Sequence, residues 1–263
     1  EKAQVTVNGL LSSVELWVDG AKNEITPLSK TNIVLNSLAA DVSKATQKET
    51  LDLFADAASR HPAFDSILLM NEKGNVVVTT NQNLAGSDLS GREYYQKAMA
   101  GQVFVSKPLF SKDTGAAVFV IAAPVRQGGR VVGVVASGVQ ISRFTEQFLK
   151  PLDTPASYAF IIAPDGLVLA HPEAKLIGKY NVFTEADYGP RMASMQKGLL
   201  DTVSLGVDKL VLFEKSPATG WVVGMTINKA VAFGGARELG LLILGLSAGQ
   251  AVLILAGLWL ILT

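Results

Sequence analysis

The feature that most constrains the fold is a device the chain uses twice. Ile67-Leu68-Leu69-Met70 runs into the polar stretch Asn71-Glu72-Lys73-Gly74-Asn75 and returns as Val76-Val77-Val78-Thr79-Thr80. Further on, Tyr158-Ala159-Phe160-Ile161-Ile162 meets Ala163-Pro164-Asp165-Gly166 and returns as Leu167-Val168-Leu169-Ala170. Apolar, β-branched runs on both sides of an acidic, glycine-containing turn read as β-hairpins. Strand-like runs follow each hairpin, at 102–105, 116–125 and 130–139 after the first and at 207–214 and 221–227 after the second. The first set, interleaved with helical segments, predicts an antiparallel sheet with helices on one side, an α+β unit. Its recurrence predicts duplicated architecture rather than a solenoid.

Ahead of the first hairpin, Val7, Leu10, Leu11, Val14, Trp17, Val18, Ala21, Ile25 and Leu28 recur at three- and four-residue steps, and the pattern continues to Val42. That spacing predicts amphipathic helix over residues 2 to about 43, with Pro27 kinking it or ending a segment. A long amphipathic helix without reactive side chains reads as a stalk, a dimer face or the cover of a sheet. A second helix is expected from about Gln47 to Arg60, where Thr46 and Glu49 have capping-box spacing. Shorter helices are expected at 96–100, 142–149 and near 190–197, and from Asn228 onward.

The end of the chain carries a different constraint. From Leu239 to Leu262 there is no charged residue over 24 positions, a length of roughly 36 Å as a helix, enough to cross a hydrocarbon core of about 30 Å. A transmembrane helix is expected there, entered at Arg237 and Glu238. Gly245 and Gly249 have the spacing of close helix packing, and Gln250 is polar near the middle. The absence of an initiator Met at Glu1 fits a segment of a longer membrane protein.

Charge and cysteine usage exclude several classes. Lys+Arg and Asp+Glu are both 23, so there is no basic field to attract nucleic acid or an anionic membrane surface. With no cysteine, disulfides and thiolate metal sites are excluded. His61 and His171 are far apart, and His171-Pro172-Glu173 has no second histidine near it, so no metal site is expected. The chain lacks a P-loop, a Gly-x-Gly-x-x-Gly and a Gly-x-Ser-x-Gly motif. No cofactor and no enzymatic activity are expected.

One stretch stands out as a ligand grip. Leu89-Ser90-Gly91-Arg92-Glu93-Tyr94-Tyr95 sets an arginine and two tyrosines just before a helical run. A guanidinium offers a planar fork suited to carboxylate or phosphate, and tyrosine adds a ring and a hydroxyl at little entropic cost. The plain alternative is a surface arginine beside two core tyrosines.

Taken in order, these residues resemble the double Cache sensor domains of bacterial chemotaxis receptors and sensor kinases. The resemblance rests on 91–98, Ser106-Lys107-Pro108, Asp113-Thr114-Gly115, 122–125 and 133–135 in one module. In a second module it rests on 158–162, Asp165-Gly166, Ala170-His171-Pro172 and 176–179, with Trp221-Val222-Val223-Gly224 after them. No single motif is specific, but the ordered set is. It implies a long N-terminal helix carrying two stacked PAS-like α/β modules. The implied domains are stalk and second helix (1–62), membrane-distal ligand-binding module (63–150), membrane-proximal module (151–230), and juxtamembrane and transmembrane helix (231–263). It further implies a homodimer in the bacterial inner membrane with an extracytoplasmic sensor and a cytoplasmic signalling region beyond Thr263.

In amino-acid-binding members, the arginine matched by Arg92 grips the α-carboxylate, aided by the next aromatic pair, where Tyr94 stands in place of a common tryptophan and Tyr95 matches. The chain departs from them on the ammonium side. Leu109 stands where a tyrosine is common, Ser111 and Gly138 where aspartates are. Asp113 could substitute but reads as a turn residue. The resemblance thus implies an intact anion side and a lost cation side, and a ligand such as a small organic acid, with an amino acid or a purine as the alternatives. Phe110 could stack on a planar ligand, and Gln140 could supply a neutral hydrogen bond.

Overall fold

The computed structural model describes residues 2–204 and 206–232, with Gly234 and Gln250 besides. The first helix, α1 (Lys2–Leu28), ends one residue after Pro27 and is followed by the short α2 (Asn32–Asn36). Proline thus sits in the last turn, which its missing N–H and its ring weaken. The third helix, α3 (Lys44–Arg60), starts three residues earlier than expected. Its cap is Ser43, in extended geometry, whose Oγ accepts from the Thr46 N–H at 3.0 Å. Ser43 satisfies an orphan donor of the first turn, and Thr46 lies inside the helix.

The first module then runs β1 (Phe64–Asn71), β2 (Val76–Thr79), α4 (Glu93–Met99), β3 (Phe104–Val105), β4 (Leu109–Phe110), β5 (Ala117–Gln127) and β6 (Arg130–Gln140). After α5 (Ile141–Phe148) the second module runs β7 (Ser157–Ile162), β8 (Val168–Ala170), α6 (Val182–Glu185), α7 (Gly189–Ser194), β9 (Lys197–Ser204), β10 (Val207–Lys215) and β11 (Val222–Asn228). The strand orders are β2-β1-β6-β5-β3, with β4 also on β5, and β8-β7-β11-β10-β9. All pairs are antiparallel. In each sheet the hairpin's first strand pairs with the last strand of its module, so the duplication extends to topology.

Three sequence expectations need correction. The first sheet is covered on both faces, not one. Ile67, Leu69, Phe119, Ile121, Val135 and Val139 pack with α1 and α3, while Leu68, Met70, Val120 and Ala136 pack with Tyr94, Tyr95 and Ala98 of α4. A strand whose inward and outward residues are both apolar must be buried on both sides. Strand β9 was missed. Only Leu200 of its apolar side chains is buried, while Leu199 and Val203 are 59% and 55% exposed, so this edge strand lacks a clean alternation. Helix α4 begins at Glu93, which puts Tyr94 and Tyr95 inside it and Arg92 at its N-cap.

The spine of the molecule is α1. Its Leu10, Leu11, Val14, Val18, Ala21, Ile25 and Leu28 are buried in a core that also contains Phe119 of the first sheet and Phe213 of the second. Near its start, Val7 packs on Leu212 and Met225. Each of these valine, leucine and isoleucine side chains contributes roughly 1.5–3 kcal/mol when fully buried. Between the sheets, Trp17 meets Phe144 edge-on at 5.1 Å, and Phe119 meets Trp221 at 5.3 Å. This aromatic cluster ties α1, β5, α5 and the start of β11 together. The expected membrane span at 239–262, with Gly245 and Gly249, lies outside the described residues save Gln250. Among the described residues no helix is long and apolar enough to cross a membrane. Residues 229–232 are helical, as expected from Asn228 onward.

Candidate functional site

The loop before α4 is built around the turn of the first hairpin. Gly74 has φ 83°, and a Cβ there would lie 2.6 Å from Ser90, so only glycine lets the loop approach this closely. The Leu89 N–H donates to the Gly74 carbonyl at 2.9 Å, and the Ser90 N–H donates to Asp88 Oδ1 at 2.9 Å. Arg92 follows in extended backbone geometry (φ −81°, ψ 134°) and makes no side-chain cap bond. Its half-buried side chain lines a cavity between α4, β4 and the second face of the first sheet, and it makes no salt bridge among the described residues.

The cavity measures about 40 Å³ and is shared by Arg92, Tyr94, Leu109, Ser111, Gly138 and Asp65, among others. Tyr94 is 5% exposed, and burial pushes its phenol up to about 12, so it is a neutral group at any ordinary pH. Ser111 Oγ accepts weakly from the Asp113 N–H at 3.4 Å. Gly138 lies on the cavity floor, where a Cβ would come into ordinary contact with Asp65 at 3.6 Å.

Three expected site residues lie elsewhere. Tyr95 turns its hydroxyl to the hairpin and donates to the carbonyls of Glu72 (2.8 Å) and Asn71 (3.2 Å), so it braces the turn. Phe110 is 43% exposed, and its ring points at Gly178 of the second module. Gln140 stays outside the lining and donates through Nε2 to Asp65 Oδ1 at 2.6 Å. Asp113 accepts from Asn81 Nδ2 at 2.8 Å and acts as a loop clamp, as its turn context implied.

The residue that sequence reasoning missed is Asp65. The register between β1 and β6 slips between Phe64 and Ser66. Strict alternation would point neighbours to opposite faces, whereas a bulge re-aims a side chain. Asp65 and Ser66 consequently both line the cavity. A carboxylate from β1 thus lies in the same cavity as Ser111 and Gly138. No sequence signal marks the bulge, although an aspartate at the start of an apolar strand was there to be questioned.

The cavity also borders a bridge between modules. On β4, Leu109 faces in and Phe110 faces out, the alternation a strand imposes. Just before it, Lys107 pairs with Asp165 of the second hairpin turn at 3.2 Å. The same short segment therefore touches both the cavity and the second module.

Comparison with known proteins agrees with this architecture. The Cache domain family, dCache_1, matches residues 2–236. The methyl-accepting chemotaxis protein PctB of Pseudomonas aeruginosa is 27% identical over 235 residues, covering 84% of this chain and 34% of PctB. The chain thus spans about a third of that relative's length. The ligand-binding domain of PctB in complex with L-Gln superimposes with a TM-score of 0.69 at 23% identity, over 91% of this chain and 97% of that one. That of the Pseudomonas fluorescens chemoreceptor CtaA in complex with L-alanine gives 0.66 at 22% identity, over 89% and 96%. At these identities the superpositions speak for the fold.

Proposed function

The chain belongs to the Cache domain family, and from that premise we propose that it is the extracytoplasmic sensor of a transmembrane chemoreceptor that binds a small amino acid in its first module. The observation that carries this reading is the sharing of one cavity by Arg92 and Asp65, opposite charges on separate elements. Arg92 would hold the carboxylate through its donor fork. Asp65, oriented by Gln140, would hold the ammonium, which needs a carboxylate when taken from water. The sequence-based preference for an acid without an amine gives way to its amino-acid alternative because of Asp65. The ligands of PctB and CtaA are in keeping with that choice.

A cavity of about 40 Å³ lies well below the roughly 300 Å³ at which ligand pockets begin. Binding therefore requires a wall to move. The β4 segment is the candidate wall, because its strand register on β5 is two residues long, Leu109↔Val118 and Phe110↔Ala117. Its outward displacement would press Phe110 on Gly178 and load the Lys107–Asp165 pair, which carries the event to the second module. In the full receptor this would pass through a helix after β11 to a cytoplasmic signalling region, in a homodimer anchored in the inner membrane.

Titration calorimetry of the chain in detergent with glycine, L-alanine and L-glutamine tests the reading. At least one should bind saturably, and Arg92→Ala should weaken it about a hundredfold, roughly 3 kcal/mol for a desolvated charge-assisted pair. Binding that survives Arg92→Ala would remove Arg92 from the site.

A further inference from the structure

The second module contains a larger cavity, of about 400 Å³, within the size range of ligand sites. It lies on the face of the second sheet opposite α1. The register pairs Tyr158 with Thr226, Thr226 with Val211 and Lys209 with Thr202. Lys209 stands two residues before Val211 on β10, so Tyr158, Thr226, Lys209 and Thr202 share one face. All four line the cavity, over an apolar floor that includes Phe160, Ile162 and Val168.

Its lining includes Glu173, Lys175, Glu185 and Asp187, but three of its donors have no hydrogen-bond or salt-bridge partner among the described residues. Lys209 is half-buried, makes no salt bridge among the described residues, and sits 5.9 Å from the Tyr158 ring centroid. The neighbouring Glu173 is engaged by Lys175 at 2.8 Å. His171 is 8% exposed, and its Nδ1 accepts from the Glu173 N–H at 2.9 Å. That bond places the ring proton of the neutral imidazole on Nε2, which has no hydrogen-bond partner among the described residues. Burial holds the ring neutral, with its pKa lowered to about 4. Tyr188 is half-buried, and its hydroxyl also lacks a partner among the described residues; burial raises its pKa well above the ordinary phenol value. Glu185 and Asp187 line the cavity from exposed positions.

We propose that this cavity is a second binding site, for a small monocarboxylate with a compact apolar body. Lys209 supplies the positive charge, and His171 Nε2–H and the Tyr188 hydroxyl are available donors for the carboxylate oxygens. Phe160, Ile162 and Val168 take the apolar body. Glu185 and Asp187 at the rim disfavour a second negative charge, which selects monoanions. The inference stands apart from the reading of the first module, because the two cavities share no lining residue.

The test is calorimetry of the full chain in detergent with benzoate and butyrate, with benzyl alcohol and butan-1-ol as neutral controls. Saturable binding of at least one carboxylate, with neither alcohol binding comparably, is expected. Lys209→Met should weaken it about tenfold or more, and Tyr188→Phe by less, in proportion to a charged against a neutral hydrogen bond. Arg92→Met should leave it unchanged. Far-ultraviolet circular dichroism checks that each variant is folded, and Tyr188→Phe, which deletes one oxygen, serves if Lys209→Met is not. Absence of saturable binding by both carboxylates, equal binding of the alcohols, indifference to both second-module substitutions, or loss of binding on Arg92→Met would each overturn the proposal.

Discussion

The two modules share one strand order yet differ tenfold in the space they leave. In the first, α4 presses Tyr94, Tyr95 and Ala98 onto the sheet, and the remaining cavity is about 40 Å³. In the second, the short helices α6 and α7 stand over the equivalent face, and about 400 Å³ remains. The first cavity is lined by a guanidinium and a carboxylate, while the second sets Lys209 and the neutral His171 and Tyr188 inside a rim that carries Glu173, Lys175, Glu185 and Asp187. Topology therefore fixes where a cavity forms, and the element laid across the sheet decides its size and charge.

The sharpest way to break this contrast is to collapse the cover of the second cavity. Gly189 begins α7, and a Cβ there would stand 1.9 Å from the Val182 carbonyl oxygen. Backbone cannot yield as a flexible side chain does, so Gly189→Ala should destabilise the chain by about 3 kcal/mol or more. Urea denaturation monitored by tryptophan fluorescence would check this, and an unchanged midpoint would mean that α6 and α7 are not packed as described.

A comparable effect is expected from His171 through pH. Its ordinary value near 6.5 is lowered to about 4 in the fold, so between those values the unfolded chain binds more protons. The stability this group contributes is complete above pH 6.5 and is lost as pH falls toward 4, amounting to about 3 kcal/mol. The difference in stability between wild type and His171→Gln, followed over that window, should shrink toward acid. A constant difference would show that the imidazole is not held neutral in the second cavity. Smaller again is Tyr95→Phe, which removes donation to the Asn71 and Glu72 carbonyls. It should cost about 1 kcal/mol and leave amino-acid affinity unchanged, whereas a loss of affinity would return Tyr95 to the ligand.

Much of the scaffold was legible in the chain. Both hairpins, the periodic run from Val7 to Leu28 and the helix-weakening Pro27 rest on local chemistry. What escaped depends on relations between distant segments. The edge strand β9 exposes Leu199 and Val203, so its pattern matches neither template. Arg92, Tyr94, Leu109, Ser111 and Gly138, which the resemblance orders along the chain, line one cavity. Tyr95 and Phe110 do not, because a helix rotates neighbours apart and a strand alternates them. Asp65 was invisible because a register slip, not composition, turns it inward. The cavity volumes follow from packing of α4, α6 and α7, which no local pattern encodes.

Asp65 is the group proposed to complete the first cavity. The most direct measurement compares L-alanine with propionate, with Asp65 intact and on Asp65→Asn, both in a Lys209→Met background that weakens the second cavity. The account predicts that L-alanine binds more tightly than propionate and that Asp65→Asn weakens L-alanine about a hundredfold, leaving propionate unchanged. Equal affinities for the two acids, untouched by Asp65→Asn, would contradict it and restore a cavity that recognises the carboxylate alone.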